Sequence, residues 1–153
     1  MGTMTTTPAP TAGTVLDLLE RAHAGLVLAC RTSTAAERYT TAHLAALRAA
    51  AALLAARTVP TGRTRPRSVW EMLPTVAPEL SEWAVFFAAS GRRRLALEAG
   101  TDTVGPREAD DLVRQAETFV ELVRAALHLP LATPLSEELA PTALRGPAPR
   151  ARR

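Results

Sequence analysis

The sequence predicts an all-α fold, an up-and-down bundle of four to five helices. No stretch alternates apolar and polar residues for long enough to form a convincing β-strand. Apolar residues instead recur at helical spacing in four long segments, and short connections join those segments. With 153 residues, 47% of them hydrophobic, the chain is long enough for one domain with its own core.

The first predicted helix runs from Thr14, a residue type that caps helix starts, to about Arg31. Residues 1–13 precede it as a leader rich in Thr, Pro and Ala, which we expect to be disordered. One buried face of the helix is predicted from the spacing of its apolar residues, which are Val15, Leu18, Leu19, Ala22, Leu26 and Ala29.

The second predicted helix starts at Ser33 or Thr34 and ends near Arg57. Thr34 and Glu37 have the spacing of a capping box, in which the two side chains satisfy two free backbone amides. Nine alanines lie between positions 42 and 56, so another helix can approach this backbone closely. We therefore predict that one side of the helix forms a homodimer interface, made by Tyr39, Ala42, His43, Ala46 and Ala50.

Prolines end the second helix and limit the third. A loop over residues 58–67 contains Pro60, Gly62 and Pro66 and carries three arginines. Ser68 and Glu71 repeat the capping-box spacing, and Pro74 ends the short helix that they start within about two turns.

Two longer helices complete the predicted bundle. One begins at Pro78 and runs toward Gly100, and the last begins near Pro106 and continues to about His128. The bundle is thus predicted over residues 14–129. Residues 130–153 are rich in Pro and Arg and are predicted to form a flexible tail.

The basic residues are all arginines, eighteen of them, and the chain lacks Lys, Ile and Asn. This composition is typical of a GC-rich genome, so the abundance of Arg alone does not indicate nucleic-acid binding. Four arginines lie in the segment from residue 141 onward, which has no acidic residue; they are Arg145, Arg150, Arg152 and Arg153. The other fourteen nearly balance the fifteen acidic residues, so the body of the domain has no overall basic surface.

Several functional classes have little support. No apolar run reaches the roughly 18 residues of a membrane span. A single cysteine, Cys30, cannot form an internal disulfide, which fits a cytoplasmic protein. His23, His43 and His128 fall on three different segments without acidic or Cys partners at ligand spacing, so no metal site is expected. A Gly-rich phosphate loop is also missing, and no cofactor is expected.

Three segments resemble a known superfamily. Residues 37–50 (ERYTTAHLAALRAA), 68–73 (SVWEML) and 78–83 (PELSEW) are similar to a small actinobacterial branch of the HEPN superfamily, named for higher eukaryotes and prokaryotes nucleotide-binding. The resemblance covers roughly residues 14–129. It implies an α-helical bundle that often dimerises, found in metal-independent endoribonucleases and in noncatalytic modules that bind nucleotides or partner proteins.

The resemblance points to Arg38 and His43 as a catalytic pair, since the ribonucleases carry an Arg, four to six residues and then a His. In those enzymes the pair usually lies on a later helix, which here offers Arg92, Arg93 and Arg94 without a histidine. A separation of five residues also turns about 500° around a helix, so the two side chains point about 140° apart. The competing hypothesis is that His43 packs within a bundle or dimer seam while Arg38 is solvated.

Two arginine clusters are candidate nucleic-acid or phosphate sites, Arg63, Arg65, Arg67 and Arg92, Arg93, Arg94. For the second cluster the alternative is a solvated helix face in which Arg94 pairs with Glu98, four residues later. Trp70 and Trp83 either stack on a base or belong to the core, and the apolar residues around them favour the core.

Two functions follow as hypotheses. The first is a noncatalytic helical module that binds a nucleotide, RNA, DNA or a protein partner, with a link to DNA repair or stress response. The second is a metal-independent endoribonuclease that uses Arg38 and His43, as a toxin in a toxin–antitoxin system would. In both, a homodimer and no membrane contact are expected.

Overall fold

The computed structural model describes residues 12–58 and 67–141. In these residues there is no β-strand, and the all-α prediction is confirmed. The helices are α1 (Ala12–Arg31), α2 (Ala35–Arg57), α3 (Val69–Val76), α4 (Ser81–Glu98), α5 (Pro106–Ala126) and α6 (Leu135–Glu138), with a 3-10 turn at Pro78–Leu80 between α3 and α4. None of the described helices is long and apolar enough to cross a membrane.

Hydroxyl caps, a proline and a glycine set the helix ends as the sequence predicts. The Thr34 hydroxyl accepts a hydrogen bond from the Glu37 backbone N–H at 3.4 Å, and the Ser68 hydroxyl accepts one from Glu71 at 3.2 Å. The third helix ends two residues after Pro74. Gly100 follows α4 with φ +73°, a backbone conformation that glycine adopts without strain.

The second helix is the centre of the bundle, because it packs against α1 and α5 along its length and also touches α3 and α4. Its alanines make this possible by leaving room for neighbouring backbones. One close approach is to Gly25 of α1, where an added Cβ would lie 3.4 Å from the Ala45 Cβ. Six alanines of this helix are fully buried, namely Ala42, Ala45, Ala46, Ala49, Ala50 and Ala52.

This central position corrects the predicted dimer interface. Its five residues are covered by helices of the same chain, and none is more than 7% exposed; they are Tyr39, Ala42, His43, Ala46 and Ala50. A side chain that already packs inside the protomer is not available to a second copy. The small residues of α2 therefore permit close packing of helices within the protomer.

Aromatic side chains fill the core where α3, α4 and α5 meet. The rings of Trp70 and Phe87 stack with centroids 5.2 Å apart, and Phe87 and Phe119 lie 5.1 Å apart. Trp83 stacks on the Phe87 ring at 6.1 Å. Trp70 is thus a buried core residue and Trp83 is half-buried against the core, as their apolar neighbours in the sequence predict.

The structure differs from the predicted division of the chain at both ends. Helix α1 starts at Ala12, inside the predicted leader, whose residues 1–11 lie outside the described part. Residues 130–141, predicted as flexible tail, include α6, in which Leu135 is buried and its backbone N–H donates to the Glu117 carboxylate at 2.9 Å. This contact with a distant helix helps to hold a four-residue helix in place. The rest of the predicted tail, residues 142–153, is not described.

Candidate functional site

Arg38 and His43 project to different sides of α2. The Arg38 guanidinium donates to the Asp110 carboxylate at 2.7 Å and to the Thr32 carbonyl oxygen at 3.0 Å, so it joins the start of α2 to α5 and to the end of α1. The His43 Nδ1 instead shares a hydrogen bond with the Ser90 hydroxyl of α4 at 3.0 Å. The two side chains have separate polar partners, as the helix geometry predicts.

The His43 imidazole is enclosed, with 2% of the residue exposed. Its ring meets Trp70 edge-on at 5.9 Å, and Phe87 lies 6.2 Å away. A Cβ added to Gly91 would lie 3.2 Å from the imidazole Cε1 and 3.3 Å from Nε2, so glycine at this position makes room for the ring. Burial, together with the nearby Arg94 charge, lowers the pKa of His43 to about 4. The ring is therefore neutral near pH 7.

An open groove of about 530 Å³ lies between α2, α3 and α4, and we call it the α3–α4 groove. Its polar lining consists of His43, Ser68, Glu71, Arg92 and Arg94. The remaining lining is glycine and apolar residues, namely Leu47, Trp70, Pro74, Ala84, Val85, Ala88, Gly91 and Leu95. Such a volume with a few polar groups on apolar walls falls within the range of about 300 to 1,000 Å³ that is typical of ligand sites.

The three arginines of α4 have three different environments. Arg92 is exposed at the groove. Arg93 faces the other way and holds the loop before α5, through Asp102 at 3.1 Å, the Thr103 carbonyl oxygen at 3.0 Å and the Glu108 carboxylate. The hydrogen bond to Glu108 is the main reason that the pKa of Arg93 is raised. Its guanidinium also lies over the Tyr39 ring at 5.7 Å.

Arg94 lines the α3–α4 groove, and one of its guanidinium nitrogens lacks a partner among the residues described. Its Nε is buried and has no hydrogen-bond acceptor in the described part of the chain. The predicted ion pair with Glu98 is present only at 3.9 Å, beyond hydrogen-bond distance. A buried guanidinium N–H without an acceptor is costly, so a ligand that draws the Arg94 guanidinium into a hydrogen bond would relieve that cost.

Sequence reasoning missed the pairing across helices that forms this site. His43 of α2 and Arg94 of α4 both border the groove, although 51 positions separate them. The only local signal was the Ser90–Gly91 dipeptide within an otherwise regular helix, which supplies the hydroxyl partner and the open space beside the imidazole. Of the other arginine cluster, Arg63 and Arg65 lie outside the described residues, while Arg67 is exposed.

Within residues 12–58 and 67–141, no cluster of side chains is suited to metal binding or to cysteine catalysis. No group of three His, Cys, Asp or Glu side chains there is arranged to hold a metal ion. His23 lies 3.7 Å from the Glu138 carboxylate, a contact between α1 and α6. The half-buried Cys30 is a free thiol, and burial raises its pKa, which disfavours the reactive thiolate.

The helices and the groove define an all-helical bundle with one concave, partly cationic site on its α3–α4 side. A protein-family model described as SAV_6107-like HEPN matches residues 29–124, which is more than half of the chain. The chain therefore belongs to this HEPN family, and the resemblance seen in residues 37–50, 68–73 and 78–83 is confirmed. No curated protein and no solved structure matches the chain significantly.

Proposed function

We propose that this HEPN domain is a noncatalytic module that binds a phosphate-bearing ligand, a nucleotide or a nucleic-acid end, in the α3–α4 groove. The observation that carries the proposal is that Arg94 lines the groove while its buried Nε has no acceptor among the described residues. Such a module would serve an assembly that handles nucleic acid in DNA repair or stress response.

The chemistry of the groove supports an anionic ligand with an apolar part. A phosphate oxygen would give Arg94 a charge-assisted hydrogen bond, which is stronger than a bond between neutral groups. His43, neutral near pH 7, can add one hydrogen bond through Nε2 without adding charge. Apolar walls suit a base or sugar, and the exposed Glu71 carboxylate can accept from an exocyclic amine.

The endoribonuclease remains the second candidate, with Arg94 as the cationic partner in place of Arg38. It is favoured by one observation, that His43 and Arg94 border the same groove. General-base catalysis near neutral pH works best with a pKa close to the working pH, and the pKa of His43 is about 4. Its Nδ1 is also engaged by Ser90. These features support binding over cleavage.

Calorimetric titration of the full chain with AMP, ADP and ATP tests the proposal. We expect Arg94→Gln to weaken nucleotide binding by about tenfold or more, because a charged hydrogen bond is lost. The matched control is Arg21→Gln, which removes an arginine that is paired only with Asp17 on the outer surface of α1. Equal affinities for the wild type and Arg94→Gln, or no nucleotide binding at all, would contradict the proposed site.

Cleavage is tested separately, with single-stranded RNA and EDTA. We expect the purified protein to leave the RNA intact. Cleavage that is abolished by both His43→Ala and Arg94→Gln would replace the noncatalytic proposal with the ribonuclease.

A further inference from the structure

Opposite charges border the α3–α4 groove without touching each other. Arg92 and Arg94 lie on its α4 wall, and Glu71 lies on its α3 wall. The only ion pair that these three side chains form with described residues is the one between Arg94 and Glu98. The groove thus keeps a cationic wall and an anionic wall apart. A ligand that joins the two walls needs a negative group at one end and hydrogen-bond donors at the other.

The Glu71 carboxylate is available because only half of the capping box at the start of α3 is formed. The Ser68 hydroxyl accepts from the Glu71 backbone N–H. The reciprocal bond, from the Ser68 backbone N–H to the Glu71 carboxylate, is absent, and this carboxylate has no other polar partner within residues 12–58 and 67–141. A hydroxyl that accepts one hydrogen bond still has its own hydrogen to donate. The α3 wall therefore offers a carboxylate with two acceptor oxygens and a hydroxyl donor.

We propose that the α3–α4 groove selects guanine nucleotides, with Glu71 binding the base while Arg94 binds the phosphate. This selectivity rests on the proposed phosphate site and adds to it the identity of the base. A carboxylate has acceptors only, so it prefers a base with two neighbouring donors. Guanine has them on its Watson–Crick edge, N1–H and the 2-amino group, and can donate to both oxygens at once.

The other common bases place an acceptor where the carboxylate needs a second donor. Adenine has the bare N1 beside its 6-amino group, and cytosine has the bare N3 beside its 4-amino group. Uracil flanks its single N3–H with two carbonyl oxygens. Each of these bases would bring a lone pair against a Glu71 oxygen, which a site built for two donors rejects. Guanine O6 is an acceptor, which suits the hydroxyl of Ser68 in the lining of the same groove.

Apolar groups surround the position proposed for the base. Trp70 and Pro74 lie on the same helix as Glu71 and line the groove with it, and Leu47 of α2 lines it as well. A flat base that covers these groups excludes water from the hydrogen bonds to the carboxylate. Those hydrogen bonds are stronger where water competes less, so the apolar lining increases the discrimination between bases.

Calorimetric titration of the full chain with GDP, ADP and IDP tests the selectivity. IDP carries a guanine that lacks the 2-amino group. We expect the wild type to bind GDP about tenfold more tightly than either ADP or IDP, because only GDP can make both hydrogen bonds. In Glu71→Gln the amide offers one donor and one acceptor, which matches adenine, so the preference for GDP over ADP should fall to about one or reverse. Loss of the charge affects all three nucleotides alike, so the ratio isolates the base.

Two controls separate the base from the phosphate. Glu20→Gln removes an exposed carboxylate on α1, none of whose residues line the groove, and should leave the ratio unchanged. Arg94→Gln should weaken GDP and ADP equally. Equal affinities of the wild type for GDP and ADP, or an unchanged ratio in Glu71→Gln, overturn the guanine selectivity, while a loss of both in Arg94→Gln leaves the phosphate site standing. If none of the three nucleotides binds, the phosphate site fails and the selectivity fails with it.

The same chemistry occurs in a free guanine nucleotide and at the 5′ end of a nucleic-acid strand. GMP and the 5′-phosphorylated dinucleotide pGpA represent the two sources. We expect GMP to bind no less tightly than pGpA, since the polar groups of the groove match one base and one phosphate. Binding of pGpA about tenfold tighter than that of GMP would overturn the assignment to a free nucleotide and place a strand end in the groove.

Discussion

Among single residues, the buried neutral histidine has the clearest measurable consequence. The pKa of His43 falls from 6.5 to about 4 on folding, so the unfolded chain takes up the proton more readily than the folded chain. The free energy of unfolding should be at its full value above pH 6.5 and should decrease as the pH falls from 6.5 to 4. The expected loss from this residue is about 3 kcal/mol, which is the pKa difference expressed as free energy.

Urea denaturation between pH 7 and pH 4 checks this prediction. Other groups titrate over the same range, so the comparison is with His43→Gln, which cannot take up the proton. The decrease should be about 3 kcal/mol smaller in that variant. His128→Asn is the control, because His128 is exposed and has a positive φ that asparagine tolerates. Parallel pH profiles for the wild type and His43→Gln would show that the imidazole does not titrate as described.

Two helical glycines make a matched pair for testing the space beside His43. Replacing glycine by alanine inside a helix stabilises it by about 1 kcal/mol where space permits. At Gly25 the nearest atom to an added Cβ is on the flexible Arg48 guanidinium, so Gly25→Ala should be stabilising. At Gly91 the nearest atom to an added Cβ is on the His43 imidazole, which is fixed in the core. Gly91→Ala should therefore be less stable than Gly25→Ala by about 1 to 2 kcal/mol. Thermal unfolding measures both variants, and equal melting temperatures would contradict the close contact.

At the scale of elements, the central position of α2 predicts how its alanine face responds to larger side chains. Ala46 is fully buried, so Ala46→Leu should destabilise the fold by about 1 to 3 kcal/mol through overpacking. Ala56→Leu, at an exposed position near the end of the same helix, is the control and should change stability little. Chemical denaturation distinguishes them. If Ala46→Leu were as stable as the control, α2 would not be the central helix.

The helix ends were predictable from sequence because they depend on local chemistry, such as the Thr34 and Ser68 caps and the proline at position 106. Which partner covers the alanine face of α2 was not predictable, since such a face is equally suited to the interior of the fold and to a dimer interface. Helix α6 was missed because its four residues are held by the distant Glu117 and by the burial of Leu135, neither of which is a local signal. The groove depends on how α2 and α4 pack together, so its pair of His43 and Arg94 also lacked a signal.

For the whole molecule, the groove and the C-terminal arginines predict two kinds of binding. Arg145, Arg150, Arg152 and Arg153 lie in a segment without acidic residues, which attracts polyanions through counterion release. Deleting residues 142–153 should remove most nonspecific affinity for single-stranded nucleic acid and reduce the salt slope by up to about 3. AMP affinity and helical content should persist, because the groove and α6 remain. Titrations at several salt concentrations measure this, and full affinity after deletion would place the nonspecific site on the bundle.

The central claim, that Arg94 binds the phosphate of a ligand, is tested most directly by the Nε–Hε resonances of the arginines in an NMR titration with ADP. The Arg94 resonance is identified by its loss in Arg94→Gln. We predict that it shifts on ADP addition, while the resonance of Arg93, already held by Asp102, stays in place. An unmoved Arg94 resonance while other arginines respond would contradict the claim.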